Sequence, residues 1–131
     1  MKPVAAVDLD GTIAQYDEWK GEESIGEPIE GATKFVHDLN AAGFEVVVFS
    51  ARASSDAGVA AIWSWLQQNG LGQVVTEVTN IKQYRFAVMI DDRAIQYDGG
   101  EFNYVTALTD ARDRVGMRAL ALNVDTQIAG S

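Results

Sequence analysis

The chain has 131 residues, enough for one domain with a core of its own, and its 47% hydrophobic and 22% charged content is that of an ordinary soluble globular protein. It has no cysteine, which excludes disulfides, thiolate metal sites and cysteine nucleophiles. A net charge of −9 and the lack of any lysine or arginine cluster weigh against nucleic acid phosphate and anionic lipid as partners.

The first element expected is a buried strand at residues 4–8, "VAAVD". It ends in two aspartates, Asp8 and Asp10, and the chain then turns through Gly11 and Thr12. Its short apolar run is followed at once by acidic residues, so it reads as a strand rather than a signal peptide. With no run approaching the roughly 18–20 apolar residues of a membrane span, a cytoplasmic protein is expected. Residues 31–43 read as a helix with Ala32, Phe35, Val36 and Leu39 on one face and Gly43 as its stop. "EVVVFS" (45–50) is a strand apolar on both sides. A second helix follows, capped by Ser55 or Asp56, with Val59, Ile62, Trp63 and Leu66 inward and Trp65 off that stripe. Strands are expected at 73–78 and 86–91, a helix at 103–115, a last strand at 118–122 and a frayed tail at 125–131.

Strands apolar on both sides that alternate with helices predict an α/β fold, a Rossmann-like three-layer α/β/α sandwich with a mostly parallel central sheet. Right-handed crossovers put the C-terminal ends of all the strands along one edge, where ligands bind in open α/β sheets. At that edge the sequence places Asp8 and Asp10, then Ser50 and Arg52, then Asp91, Asp92 and Arg93, with Lys82 in the connection before the fourth strand. Carboxylates gathered so closely repel one another, and a hard divalent cation such as Mg²⁺ relieves that repulsion. Ser50 and Lys82 offer donors of the kind a phosphoryl group takes. An aspartate nucleophile, a second carboxyl for proton transfer, a cation and a lysine make a phosphoryl-transfer site.

The elements "DLDGT", "FSAR", Lys82 and "IDDR" resemble, in order, spacing and strand context, the four motifs of the haloacid dehalogenase superfamily; the resemblance covers roughly residues 4–95. It implies that Asp8 is a nucleophile forming an aspartyl-phosphate and a Mg²⁺ ligand. It implies that Asp10 is the general acid and then the base, with its backbone carbonyl on the metal. Gly11, Thr12, Ser50, Ala51 and Lys82 are implied to bind the phosphate. Asp91 is implied to ligate Mg²⁺ directly, and Asp92 directly or through water. Dehalogenases of the superfamily lack the second aspartate of the first motif, so Asp10 favours phosphoryl chemistry.

The expected organisation is a single domain over 1–131 with no cap, since only a flap of about residues 11–30 separates the first motif from the first helix. Tyr16, Trp19 and Lys20 on that flap are candidate substrate contacts. The substrate expected is a phosphorylated small molecule or a phosphorylated macromolecule end, reached in an open site or one closed by homo-oligomerisation. Two other classes stay open: a phospho-acceptor signalling domain, and a binding domain that kept the fold without the chemistry. A polynucleotide-end phosphatase is a further variant of the main reading, disfavoured by the charge. Arg52 and Arg93 read as structural partners of nearby carboxylates, His37 as solvated, and Glu18, Glu22, Glu23, Glu27 and Glu30 as a solvated face.

Overall fold

Four short apolar runs pair side by side as a parallel sheet in the order β3-β2-β1-β4. β1 is Val4–Val7, β2 Glu45–Phe49, β3 Val75–Thr79 and β4 Phe86–Ile90. The helices are α1 (Ala32–Ala41), α2 (Asp56–Gln68) and α3 (Tyr104–Leu122), with a 3₁₀ turn over Ala51–Ser54. The computed structural model describes residues 1–96 and 104–122, with side chains through residue 116; the tail expected at 125–131 lies outside the described residues. The chain groups into two compact units, Met1–Asp92 and Arg93–Ser131, and the whole sheet belongs to the first.

The sheet forms because its central strands have nothing polar to expose. β1 is buried along its whole length, and Val46, Val47 and Val48 of β2 are fully buried. Val7, Val46 and Val48 join one core cluster with Val36 of α1 and with Ile62 and Leu66 of α2. Both helices therefore pack on the same side of the sheet, as two right-handed crossovers stepping in the same direction require. Val47 alternates to the opposite side. The short connection 80–85 must cross from β3 at one edge to β4 at the other. Arg85 anchors it, bonding Glu45 at 3.1 Å and also Glu77, and Gln83 bonds Glu77 at 3.0 Å. This is the Rossmann-like α/β architecture expected. Among the described residues no helix is long and apolar enough to cross a membrane.

The flap over residues 11–30 has a zipped base. Gln15 N donates to Glu27 O at 2.8 Å and Ile29 N to Ile13 O at 2.9 Å, and Ile13 and Ala14 are buried beneath. It is an ordered loop sealed to the core at both ends.

Several expectations are corrected. Residues 118–122 are not a strand: α3 continues through them to Leu122, in keeping with a segment rich in Met, Arg, Ala and Leu, all strong helix formers. β4, whose sequence is apolar on both faces, is the outermost of the described strands on its side of the sheet, and its Val88 is 40% exposed. Phe35 sits at the rim of α1, half exposed, beside the buried Val36. Trp65, read as lying off the apolar stripe, is buried, and Trp63 is only partly so. The reason is the flap. It lies against α2 and takes the Trp65 indole N–H on the Gly26 carbonyl at 2.8 Å, giving α2 a second buried side. Ser55 is the cap of α2, its hydroxyl accepting from Gly58 N at 3.0 Å.

Trp65 thus ties α2 to the flap. Trp65→Ala is expected to destabilise the protein by about 3–5 kcal/mol, whereas Trp65→Phe, which keeps the ring and strands the Gly26 carbonyl, should cost about 1–3 kcal/mol. Urea denaturation midpoints of the two variants check the order.

Candidate functional site

The register of β1 against β4 builds the site. Val7 pairs with Ile90, and the ladder runs one residue further through Asp8 N to Ile90 O at 2.9 Å. The next residue on each strand is an aspartate, so Asp8 and Asp91 leave the sheet side by side. Asp92 joins them, and carboxylate oxygens of Asp8, Asp91 and Asp92 lie within 4.8 Å of one another. Asp8 and Asp91 are half-buried and Asp92 is exposed.

Thr12 holds this group together. Its hydroxyl donates to Asp8 Oδ2 at 3.1 Å and accepts from Asp92 N at 3.1 Å. It comes into reach because the chain turns tightly after Leu9, whose carbonyl accepts from the amides of Thr12, Ile13 and Ala14. Gly11 makes the turn possible. Its φ is 82°, in the left-handed region, and a Cβ there would stand 2.5 Å from Asp92 Oδ2.

Such crowding has an electrostatic cost. Burial pushes the Asp8 carboxyl up to about 7, and the Asp91 charge and a hydrogen bond with Asp92 push the same way, against the opposing Thr12 bond. A hard divalent cation among the three would reverse that balance. The donor set consists of oxygens alone, with one face open to water, and it fits Mg²⁺, which keeps several waters and takes few carboxylates.

Asp10 is elsewhere. Its two oxygens take Arg52 Nε at 2.7 Å and Nη2 at 3.0 Å, a bidentate pair outside the cluster of three. Ser50 lies at the same sheet edge, at the end of β2, and is buried. Its hydroxyl accepts from Arg52 N at 3.2 Å, capping the 3₁₀ turn that Ala51 begins. Lys82 is exposed in the β3–β4 connection and makes no ion pair with the described carboxylates. The structure therefore brings Asp8, Thr12, Asp91 and Asp92 together with Gly11 against Asp92, while Asp10 is held by Arg52, Ser50 and Ala51 follow β2 at the same edge, and Lys82 lies in the β3–β4 connection.

Sequence reasoning took Arg52 as a structural partner of local carboxylates, and it is one. What it missed is the extent: the guanidinium also binds three flap carbonyls and lies 4.8 Å from the Trp19 ring centroid. Only its place two residues beyond a strand-end serine marks it in the sequence. A cleft of about 540 Å³ opens beside Gly11, with Tyr16, Lys20 and Glu27 in its walls. His37 is exposed, as expected, and its Nε2 lies 3.1 Å from the Gly70 carbonyl.

No family model matches the chain, and no curated protein matches it. A solved structure of a conserved protein from Bacteroides thetaiotaomicron is similar, with a TM-score of 0.52 and 22% identity over 85% of this chain and 90% of that one. At that identity the likeness is one of fold.

The raised Asp8 fixes a sign. Its folded-state value of about 7 lies above the ordinary 3.8, so the stability it contributes is full below the ordinary value and lost as pH rises through the folded one. The melting temperature of the metal-free protein is expected to fall between about pH 4 and about pH 7, and millimolar Mg²⁺ to restore it at the upper end only. Thermal melts across that range, with and without Mg²⁺, check this. Gly11→Ala, which drives a methyl into Asp92, should weaken the Mg²⁺-induced rise, read in the same melts.

Proposed function

We propose that this chain is a Mg²⁺-dependent phosphomonoester hydrolase that works through an aspartyl-phosphate. The observation that carries the reading is the convergence of Asp8, Asp91 and Asp92 at the ends of neighbouring parallel strands. Asp8, Asp91 and Asp92 would hold the ion, with the Asp10 backbone carbonyl as a further ligand. Bound there, it supplies positive charge for the phosphoryl oxygens and keeps Asp8 ionised.

In the first step an Asp8 carboxylate oxygen attacks phosphorus, the bond to the leaving oxygen breaks, and Asp10 gives that oxygen its proton. In the second, Asp10 takes a proton from water, the water oxygen attacks phosphorus, and the bond to Asp8 breaks to release inorganic phosphate. Ser50, the backbone at Ala51 and Lys82 serve the phosphoryl oxygens. Lys82, exposed and without an ion pair to the carboxylates, has the freedom to swing toward an arriving anion.

The substrate is a phosphorylated small molecule or macromolecule end that fits an open, capless site; the charge of −9 disfavours polynucleotide ends. A homo-oligomer and a cytoplasmic setting fit the same reading. One observation favours a second one, a phospho-acceptor domain: Asp10 is engaged by Arg52, and a switch that holds its phosphate needs no free acid or base.

Turnover of p-nitrophenyl phosphate separates the two. The hydrolase should give many turnovers per chain with Mg²⁺, stop with EDTA, and lose activity by about 1,000-fold or more in Asp8→Asn, since removal of a covalent nucleophile costs most of the chemical rate. A single burst of one p-nitrophenol per chain, with the phosphoryl group kept on the protein, would favour the acceptor, and near wild-type turnover in Asp8→Asn would end the assignment of Asp8.

A further inference from the structure

Arg52 is only 3% exposed, and its guanidinium spends every N–H it has. Nε and Nη2 bond to Asp10. Nη1 donates to the carbonyls of Gly21 and Glu22 at 2.8 and 2.9 Å, and Nη2 donates its second proton to Ser24 at 3.0 Å. Trp19 covers the cation from the flap side. The backbone of Arg52 is held as firmly: its amide is capped by Ser50, and a Cβ on Gly58 would stand 1.7 Å from its carbonyl oxygen, so α2 begins in direct contact with it.

One side chain therefore joins three segments distant in sequence: the end of β2, Asp10 beyond β1, and the far limb of the flap. Loop closure alone does not call for this. The flap base is already zipped by the Gln15–Glu27 and Ile13–Ile29 bonds. Burying a cation is also a costly way to fill space, because apolar packing would do so without desolvating a charge. What the guanidinium adds is a fixed distance between the flap limb and the Asp10 carboxylate.

We infer that Arg52 is a positioning residue that sets the flap and Asp10 in register, so that the carboxyl serving the leaving oxygen and the loop facing the rest of the leaving group move as one. The mechanical half of this stands on the hydrogen bonds alone. The catalytic half rests on the hydrolase reading.

The test uses the whole chain and two readouts. Trypsin cleavage after Lys20, on the exposed flap, reports the clamp. It should run about tenfold faster in Arg52→Ala at unchanged far-UV circular dichroism, because local opening sets the cleavage rate. It should also run faster in Asp10→Asn, which keeps the shape of Asp10 and removes the charge that anchors the guanidinium. The second readout is leaving-group dependence. p-Nitrophenyl phosphate departs without much help from an acid, whereas an alkyl phosphate needs it. Arg52→Ala should lose about 100-fold in kcat on the alkyl ester and about tenfold less than that on the aryl ester, the scale of a misplaced catalytic group. Millimolar guanidinium should recover part of both effects, and Arg52→Lys should recover neither fully. If Arg52→Ala does not fold, the Asp10→Asn and Arg52→Lys proteolysis rates decide.

Wild-type cleavage rates in folded Arg52→Ala, or in Asp10→Asn, would overturn the coupling. Equal loss on both esters would reduce Arg52 to a structural residue. A wild-type protein that hydrolyses neither ester would instead overturn the hydrolase reading, and proteolysis would still judge the clamp.

Discussion

Two aspartates leave adjacent parallel strands at the same level, and their like charges must share a small space. The Val7–Ile90 register imposes this; no choice of rotamer undoes it. Much of the local architecture is intelligible as management of that repulsion. Thr12 turns its hydroxyl proton to Asp8 and its oxygen to the Asp92 amide. Gly11 yields the volume a side chain would occupy against Asp92. The half-exposed setting lets water carry part of the charge. A cation bound among the three would offset the repulsion further.

Two residues along, Asp10 meets the opposite situation. Its charge is fully matched by a buried guanidinium, with both oxygens bonded. The turn at Gly11 and the arrival of Arg52 from the end of β2 thus divide one acidic motif into two electrostatic environments. Asp8 is crowded by like charges; Asp10 has a cationic partner within the fold. In the proposed reaction Asp8 attacks phosphorus as an anion, a form its crowded setting disfavours until a cation lies beside it.

The sheet and the acidic residues at its edge were legible because both depend on local signals. β-branched runs such as "EVVVF" need no knowledge of their neighbours to be recognised as buried strands, and a polar residue at the end of such a run is conspicuous. Placing Asp8 and Asp91 along one sheet edge required only that the strands run parallel; their side-by-side position follows from the observed order, with β4 next to β1. The features that escaped all depend on a loop whose path has no periodicity. Trp65 was placed off the apolar stripe because α2 was given one partner; the flap supplies a second. Arg52 looked like any arginine near carboxylates, because three of its acceptors are main-chain carbonyls that every residue carries. Residues 118–122 were ambiguous for another reason. A short run of Ala and Leu suits a strand or the last turns of a helix, and continuity with the preceding turns of α3 decides it.

Arg52 grips the flap through backbone carbonyls, and in the proposed hydrolase this bears on substrate choice. Gly21 is held to glycine by its φ of 106°, but a clamp on main-chain oxygens is indifferent to the side chains at Glu22 and Ser24, so their identity can change without loosening the loop. Trp19 is the exception, since its ring covers the cation while remaining 57% exposed. Side chains that line the cleft beside Gly11, Tyr16 and Lys20 among them, are likewise outside the clamp. The loop's position and its chemistry are therefore set by different atoms. Backbone and Arg52 fix where the flap lies relative to Asp10, and on the proposed reading the flap side chains are free to be matched to whatever the phosphoryl group is attached to. On that reading, a strand-end acidic group combined with a loop anchored in this way would separate chemistry from recognition within one small fold.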